Sequence, residues 1–251
     1  MNNSYQTLAG VYDSLMYDID YDAWADYIAG FLKKYTRENA RVLEAACGTG
    51  NLTFRLGKRG FDIAATDLSE EMLSVAADKA RRQGLNIPFA RQDMRELSSA
   101  PKHAVIACCD GVNYLTDDDA LMSFFRSAYA CMKRNGVLLF DISSHYKLSS
   151  ILGNDFFYED SPFTTYFWKN KFDPDRETVQ MQLTFFLRDG EIYRRSDETH
   201  LQKAHHAEHL LDLLKECGFA EAYAYSFLTE EPYKPTDERI QFVAIKKKET
   251  R

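Results

Sequence analysis

"RVLEAACGTGNLT", residues 41–53, reads as a buried strand that runs into a glycine turn and then into a helix. Glu44 stands near the end of the strand. Ala45, Ala46 and Cys47 follow it, and Gly48 and Gly50 flank Thr49. Glycines at such a junction let a ligand approach the main chain, and the first turn of the helix offers N–H groups that have no intrahelical partner. In a dinucleotide enzyme those groups take a pyrophosphate. Here an acidic side chain at the strand end would repel a phosphate, so the stretch suits a ligand with hydroxyls and a cation. The turn does not read G-x-G-x-x-G, which also disfavours an NAD dehydrogenase.

Outward from this turn, the chain alternates between two patterns. Strand-like apolar runs occur at "RVLEA", "FDIAATD", "IPFARQD", "HAVIACC" and "GVLLFDIS". Helical patterns lie between them at residues 51–59, 69–83 and 117–133, with Ser69 placed as an N-cap. Strands alternating with helices predict parallel βαβ units. Two helices are expected before the sheet, at residues 5–16 and 21–35. Trp24, Tyr27, Ile28, Phe31 and Leu32 form an apolar stripe on the second.

After residue 144 the pattern changes. "TVQMQLTFFL" alternates, with Val179, Met181, Leu183, Phe185 and Leu187 on one face. Turns are expected at Pro174 and at Asp189-Gly190. Strands with no helices between them predict an antiparallel sheet. A helix over residues 207–217, stopped by Gly218, and two final strands are expected to complete the first sheet.

The 251 residues are 45% hydrophobic and carry a formal net charge of −7. The charge argues against a protein that wraps nucleic acid. "MNNSYQTLAG" does not read as a signal peptide, and no apolar run approaches the ~20 residues that span a membrane. The five cysteines show no CxxC spacing, which suggests reduced thiols and a cytoplasmic location. His205 and His206 are expected to face solvent at a helix start, and His103 to lie at the surface. No histidine has partners at metal-ligand spacing, so no metal is expected.

"EAACGTG", "IAATDLS", "RQDM" and "CCDGVNYL" stand in order at successive strand ends. In this order they resemble the motifs of the class I S-adenosylmethionine-dependent methyltransferases. Ala46 stands where that family usually has its first glycine. The resemblance implies a fold: a Rossmann-like α/β seven-stranded sheet with an antiparallel β insertion after the fifth strand. It divides the chain into N-terminal helices and donor-binding core (1–144), a substrate-side cap (145–204) and a C-terminal helix with the last two strands (205–251).

The same resemblance implies S-adenosylmethionine as cofactor. The implied donor-binding residues are Tyr12, Glu44, Ala45, Ala46, Gly48, Asp67, Leu68, Met72, Asp93, Met94 and Cys109, with Asp67 on the ribose hydroxyls and Asp93 and Met94 at the adenine edge. In arrangement the chain is similar to small-molecule N-methyltransferases acting on glycine-type amines or amino sugars. That likeness implies a small acceptor, with Asp110, Asn113, Tyr114, Tyr166, Trp168, Arg195 and His200 as candidate contacts and Glu198 beside them. No general base is singled out. Nucleic acid and membrane are not expected as partners, and a homodimer through the β insertion stays open. An RNA or protein methyltransferase, or a non-catalytic donor-binding protein, remain the alternatives.

Overall fold

The computed structural model describes residues 9, 12, 13, 16–162 and 164–246. The helix expected at residues 5–16 falls largely outside the described residues. Of it, Ala9, Tyr12 and Asp13 are helical.

The first sheet has seven strands: β1 (Arg41–Ala45), β2 (Asp62–Asp67), β3 (Phe89–Arg91), β4 (Lys102–Ala107), β5 (Met132–Ser143), β10 (Phe219–Ser226) and β11 (Arg239–Lys246). Their order is β10-β11-β5-β4-β1-β2-β3. All pairs are parallel except those made by β11, which is antiparallel to both β5 and β10. β1 lies beside both β2 and β4, so the chain reverses its direction of winding there. Open α/β sheets place ligands outside the carboxyl ends of the strands at such a point.

The strands are apolar on both faces because helices cover both. One face carries Leu43, Val105, Leu138, Phe140 and Phe242 against α4 (Asp118–Cys131) and α5 (Ala207–Glu216). The other carries Val42, Ile63, Ile106, Leu139 and Val243 against α1 (Tyr21–Tyr35) and α2 (Asn51–Lys58). Phe140 and Phe242, paired across β5 and β11, stack with centroids 4.6 Å apart.

Side chains cap three of the helices: Asp20 accepts from Asp22 and Ala23 N–H on α1, Ser69 from Met72 N–H on α3 (Glu70–Arg82), and Asp117 from Ala120 N–H on α4. α2 begins instead at Gly50, which has φ 80° and no side-chain cap. A Cβ at Gly50 would meet the Phe54 ring at 2.7 Å, so both conformation and space demand glycine.

The second sheet is antiparallel, in the order β6 (Phe156–Asp160), β7 (Thr164–Asp173), β8 (Thr178–Asp189) and β9 (Ile192–Lys203). Asp189 pairs with Ile192, so Gly190 and Glu191 form the turn, one step on from the expected pair. Register sorts the side chains between two faces. Tyr166, Phe185 and Ser196 share a row, as do Trp168, Leu183 and Glu198, and then Asn170, Met181 and His200. This face packs on the core: Phe185 meets Ala9 and Met72, with Tyr12, Val75 and Tyr166 around them. The sheet therefore roofs the region of Tyr12 and the first turn of α3. No helix among the described residues is long and apolar enough to cross a membrane.

Candidate active site

The turn after β1 is built from left-handed residues: Ala46 at φ 52°, Gly48 at 54° and Gly50 at 80°. Ala46 thus adopts a conformation that usually favours glycine. A Cβ added to Gly48 would meet nothing within 4 Å, so the main chain is open to a ligand there. Asp67, at the end of β2, accepts from Gly48 N–H at 2.8 Å and from Ser69 N–H at 2.9 Å. These bonds fix the carboxylate beside the turn. Burial pushes the Asp67 pKa above the ordinary value, and the backbone N–H bonds only partly offset it.

Glu44 lies beneath the turn, 3% exposed, and accepts from Thr53 Oγ1 at 2.5 Å. Burial raises its pKa to about 8, against the pull of the Thr53 hydrogen bond. Asp13 reaches over from the N-terminal segment. It accepts from Thr49 Oγ1 at 2.6 Å, Asn51 Nδ2 at 2.8 Å and Lys79 Nζ at 2.7 Å. Burial pushes the Asp13 pKa up, but the bonds from Lys79, Thr49 and Asn51 outweigh it and hold the value below the usual one. Tyr12, next to this clamp, has its phenol pKa pushed well up by burial, with the nearby Cys109 and Tyr21 adding to the shift.

On β3's side, Leu68 is exposed and Met72 is buried. Met94 is partly buried and follows Asp93, which caps its short turn. Asp93 is bound to Arg95: it accepts from the Arg95 N–H at 2.9 Å, and both its oxygens receive Arg95 Nε at 3.0 Å.

Beyond β4, Cys109 and Asp110 are both left-handed, at φ 62° and 53°. Their N–H groups converge on the Asp141 carboxylate at 2.8 and 3.1 Å, an anion nest filled from within the protein. Arg239 of β11 bonds both Asp110 and Asp141 and stacks over Trp24, 4.9 Å from the ring centroid. Burial pushes Asp141 up, whereas in Asp110 the Arg239 charge overcomes burial and lowers the pKa.

Three contacts join the end of β9 to the turn after β4. Gln202 Nε2 donates to Asp110 at 3.1 Å, Asn113 Nδ2 donates to the Lys203 carbonyl at 2.9 Å, and the Tyr114 hydroxyl lies 3.3 Å from His200 Nδ1. Asn113 also donates to the Ser143 carbonyl and accepts from Ser143 N–H, so its amide is engaged on both sides. His200 Nε2 lies 3.3 Å from Glu198 Oε2, and both side chains are buried.

Of the residues singled out in the sequence, Asp110, Asn113, Tyr114 and His200 are thus brought together. Tyr166 and Trp168 lie on the same face of the roof. Trp168 packs with Leu148, Leu152 and Val179, and its buried indole N–H has no hydrogen-bond partner among the described residues. Arg195 is not brought to them. It occupies the opposite face of β9, 61% exposed, paired with Asp197. His205 departs from the expectation of solvent exposure. It is 3% exposed, and burial outweighs its bonds to the Val112 and Leu115 backbone to bring its pKa down to about 4. His206 does face solvent, and His103 is half-buried, accepting from Arg41 N–H. Asp13, Lys79, Asp141, Gln202 and Arg239 were not marked by the sequence patterns. Only Asp13, beside Tyr12 in "GVYDSLM", and Asp141, at a strand end in "FDIS", stood near one.

Residues 42–136 match the model of a methyltransferase domain. Over 246 residues the chain is 36% identical to "Putative methyltransferase YqeM" of Bacillus subtilis (strain 168), covering 97% of this chain and 98% of that protein. It also matches the crystal structure of an S-adenosylmethionine-dependent methyltransferase from Clostridium acetobutylicum ATCC 824, with TM-score 0.87, 35% identity and coverage of 97% and 99%. The chain belongs to the S-adenosylmethionine-dependent methyltransferases.

The methyltransferase also shares its fold with the sugar N-methyltransferase KedS8 from Streptoalloteichus sp ATCC 53650, at TM-score 0.77 and 19% identity, covering 94% and 92%. The strand ends fit the donor on their own terms. An uncapped helix N-terminus, open main chain at Gly48 and a carboxylate fixed beside it could hold a ligand with a hydroxylated ribose and a cationic end.

Proposed function

We propose that this methyltransferase acts on a small amine, held between the turn after β4 and the inner face of the roof. S-adenosylmethionine supplies a methyl carbon whose bond to a cationic sulfur breaks with its electron pair going to sulfur. Gly48 and Asp67 hold the donor at the turn and ribose, Ala45, Ala46 and Cys109 line its methionine side, Leu68, Met72, Asp93 and Met94 border its base, and Tyr12 covers it. Glu44 supports the turn from below and does not touch the acceptor.

The observation that carries this reading is the line Tyr114–His200–Glu198, in which His200 and Glu198 are buried and Tyr114 is partly exposed. In the tautomer with its proton on Nε2, 3.3 Å from Glu198 Oε2, the imidazole presents the Nδ1 lone pair to the Tyr114 hydroxyl. An ammonium acceptor must lose a proton before its nitrogen can attack. That proton passes to the Tyr114 oxygen as the Tyr114 proton passes to His200 Nδ1, and Glu198 balances the cation so formed. The aromatic faces of Tyr166 and Trp168 favour a cationic acceptor. The carboxylates of Asp110 and Glu198 on either side of Tyr114 and His200 suit a small amine better than a polyanion such as RNA.

Steady-state kinetics on Tyr114→Phe and His200→Asn tests the relay. Both variants should lose about a hundredfold or more in kcat while donor affinity stays the same. Unchanged kcat in both would remove the relay, and a loss of donor affinity in both would place these residues at the donor instead.

A further inference from the structure

His145, Glu177 and His206 come from three separate segments: the chain just after β5, the turn between β7 and β8, and the residue before α5. Glu177 Oε1 lies 2.7 Å from His206 Nε2 and 3.4 Å from His145 Nε2, and the three ligand atoms all fall within 4.8 Å of one another. The two imidazoles stack, centroids 4.4 Å apart, with both Nε2 atoms turned to one carboxylate oxygen. We propose that these three residues form a site for a divalent transition-metal ion, of which Zn2+ is the type, that clips the roof sheet to the core.

The donor set is two imidazoles and a carboxylate, a combination that suits Zn2+ and its neighbours and does not suit Mg2+ or Ca2+. Bonds of about 2.0–2.2 Å to nitrogen and oxygen put tetrahedral ligand atoms roughly 3–3.5 Å apart, which the cluster meets with small side-chain movements. Orienting partners are in place. His145 Nδ1 lies 3.4 Å from Ser149 Oγ, and Glu177 Oε2 receives Lys203 Nζ at 3.3 Å. Such partners fix the ring and the carboxylate while the ligand atoms face inward. The Lys203 ammonium is itself held on the Arg176 carbonyl at 2.6 Å.

The backbone beneath is also fixed. Glu177 sits at φ 49°, and its carbonyl accepts from Ala204 N–H at 2.8 Å. A surface hollow of about 340 Å3, lined in part by Glu177, Lys203, His206 and His209, leaves room for water at a fourth position. The site runs against the expectation of no metal, which rested on spacing along the chain. A bound ion would hold the β7–β8 turn against the junctions that follow β5 and β9.

The test uses the chelator-stripped full chain. Isothermal titration with Zn2+ should give one ion per chain and raise Tm. Each of His145→Ala and His206→Ala should weaken binding by about tenfold or more and reduce the Tm gain. X-ray absorption on the Zn2+-loaded wild-type chain, which needs no variant to fold, should show a shell of imidazole nitrogens with oxygen. Sulfur in that shell, substoichiometric binding, or an unchanged affinity in the folded double variant would overturn the proposal.

Discussion

Thr53 Oγ1 donates to Glu44 Oε2 at 2.5 Å, and neither side chain has more than slight exposure. Glu44 is therefore a buried acid hydrogen-bonded by Thr53 under the donor turn, and burial raises its pKa from 4.5 to about 8. Between these values the folded chain holds a proton that the unfolded chain has released. Stability from this group is fully present below the unfolded value, falls as pH rises through the window, and is lost above the folded value, with a slope of at most about 1.4 kcal/mol per pH unit. Glu44→Gln keeps an acceptor for Thr53 and cannot ionise. Urea midpoints measured across the window should fall with pH more steeply in the wild type than in Glu44→Gln. Parallel curves would show that Glu44 is ionised in the folded state.

Asp67 is tied to the turn through Gly48 N–H and to α3 through Ser69 N–H. If it also accepts from the donor's ribose, Asp67→Ala should lower S-adenosylmethionine affinity by roughly 1.5–3 kcal/mol, since a charged acceptor is lost. Calorimetry measures this directly. An affinity that changes by less than about twofold would exclude the ribose role.

Arg239 holds two carboxylates, Asp110 and the fully buried Asp141. Arg239→Met keeps much of the side-chain volume but leaves those carboxylates without their cation. We expect a loss of about 3–5 kcal/mol in stability, read from denaturant unfolding. Arg239→Met combined with Asp110→Asn and Asp141→Asn should recover part of it, because no charge then remains buried. No recovery would assign the loss to packing against Trp24.

The core sheet was legible because its signals are local. A glycine turn after a strand, an acid at the next strand end and helices between strands each lie within a short window, and their order predicts the fold. The clamp by Asp13 and the Arg239 network were not legible. They depend on which segments meet, and β11 brings Arg239 to Asp110 only through the antiparallel pairing at the sheet's far end. On the roof, alternation separates Arg195 from His200, but only the register with β8 and the packing on Met72 decide which face is inward. His205 misleads for a similar reason. A histidine at a helix start usually finds water, but here the Val112 and Leu115 backbone lies against it.

The proposed acceptor class is tested most directly by one transfer experiment. The purified chain, given S-adenosylmethionine with a labelled methyl group, would be offered a panel of small amines, total RNA and a protein lysate, and the label followed by mass spectrometry. A small amine acceptor predicts label on one or more of the amines, lost in Tyr114→Phe, with none retained on the macromolecules. Label on RNA or on protein, with the amines unmodified, would contradict it.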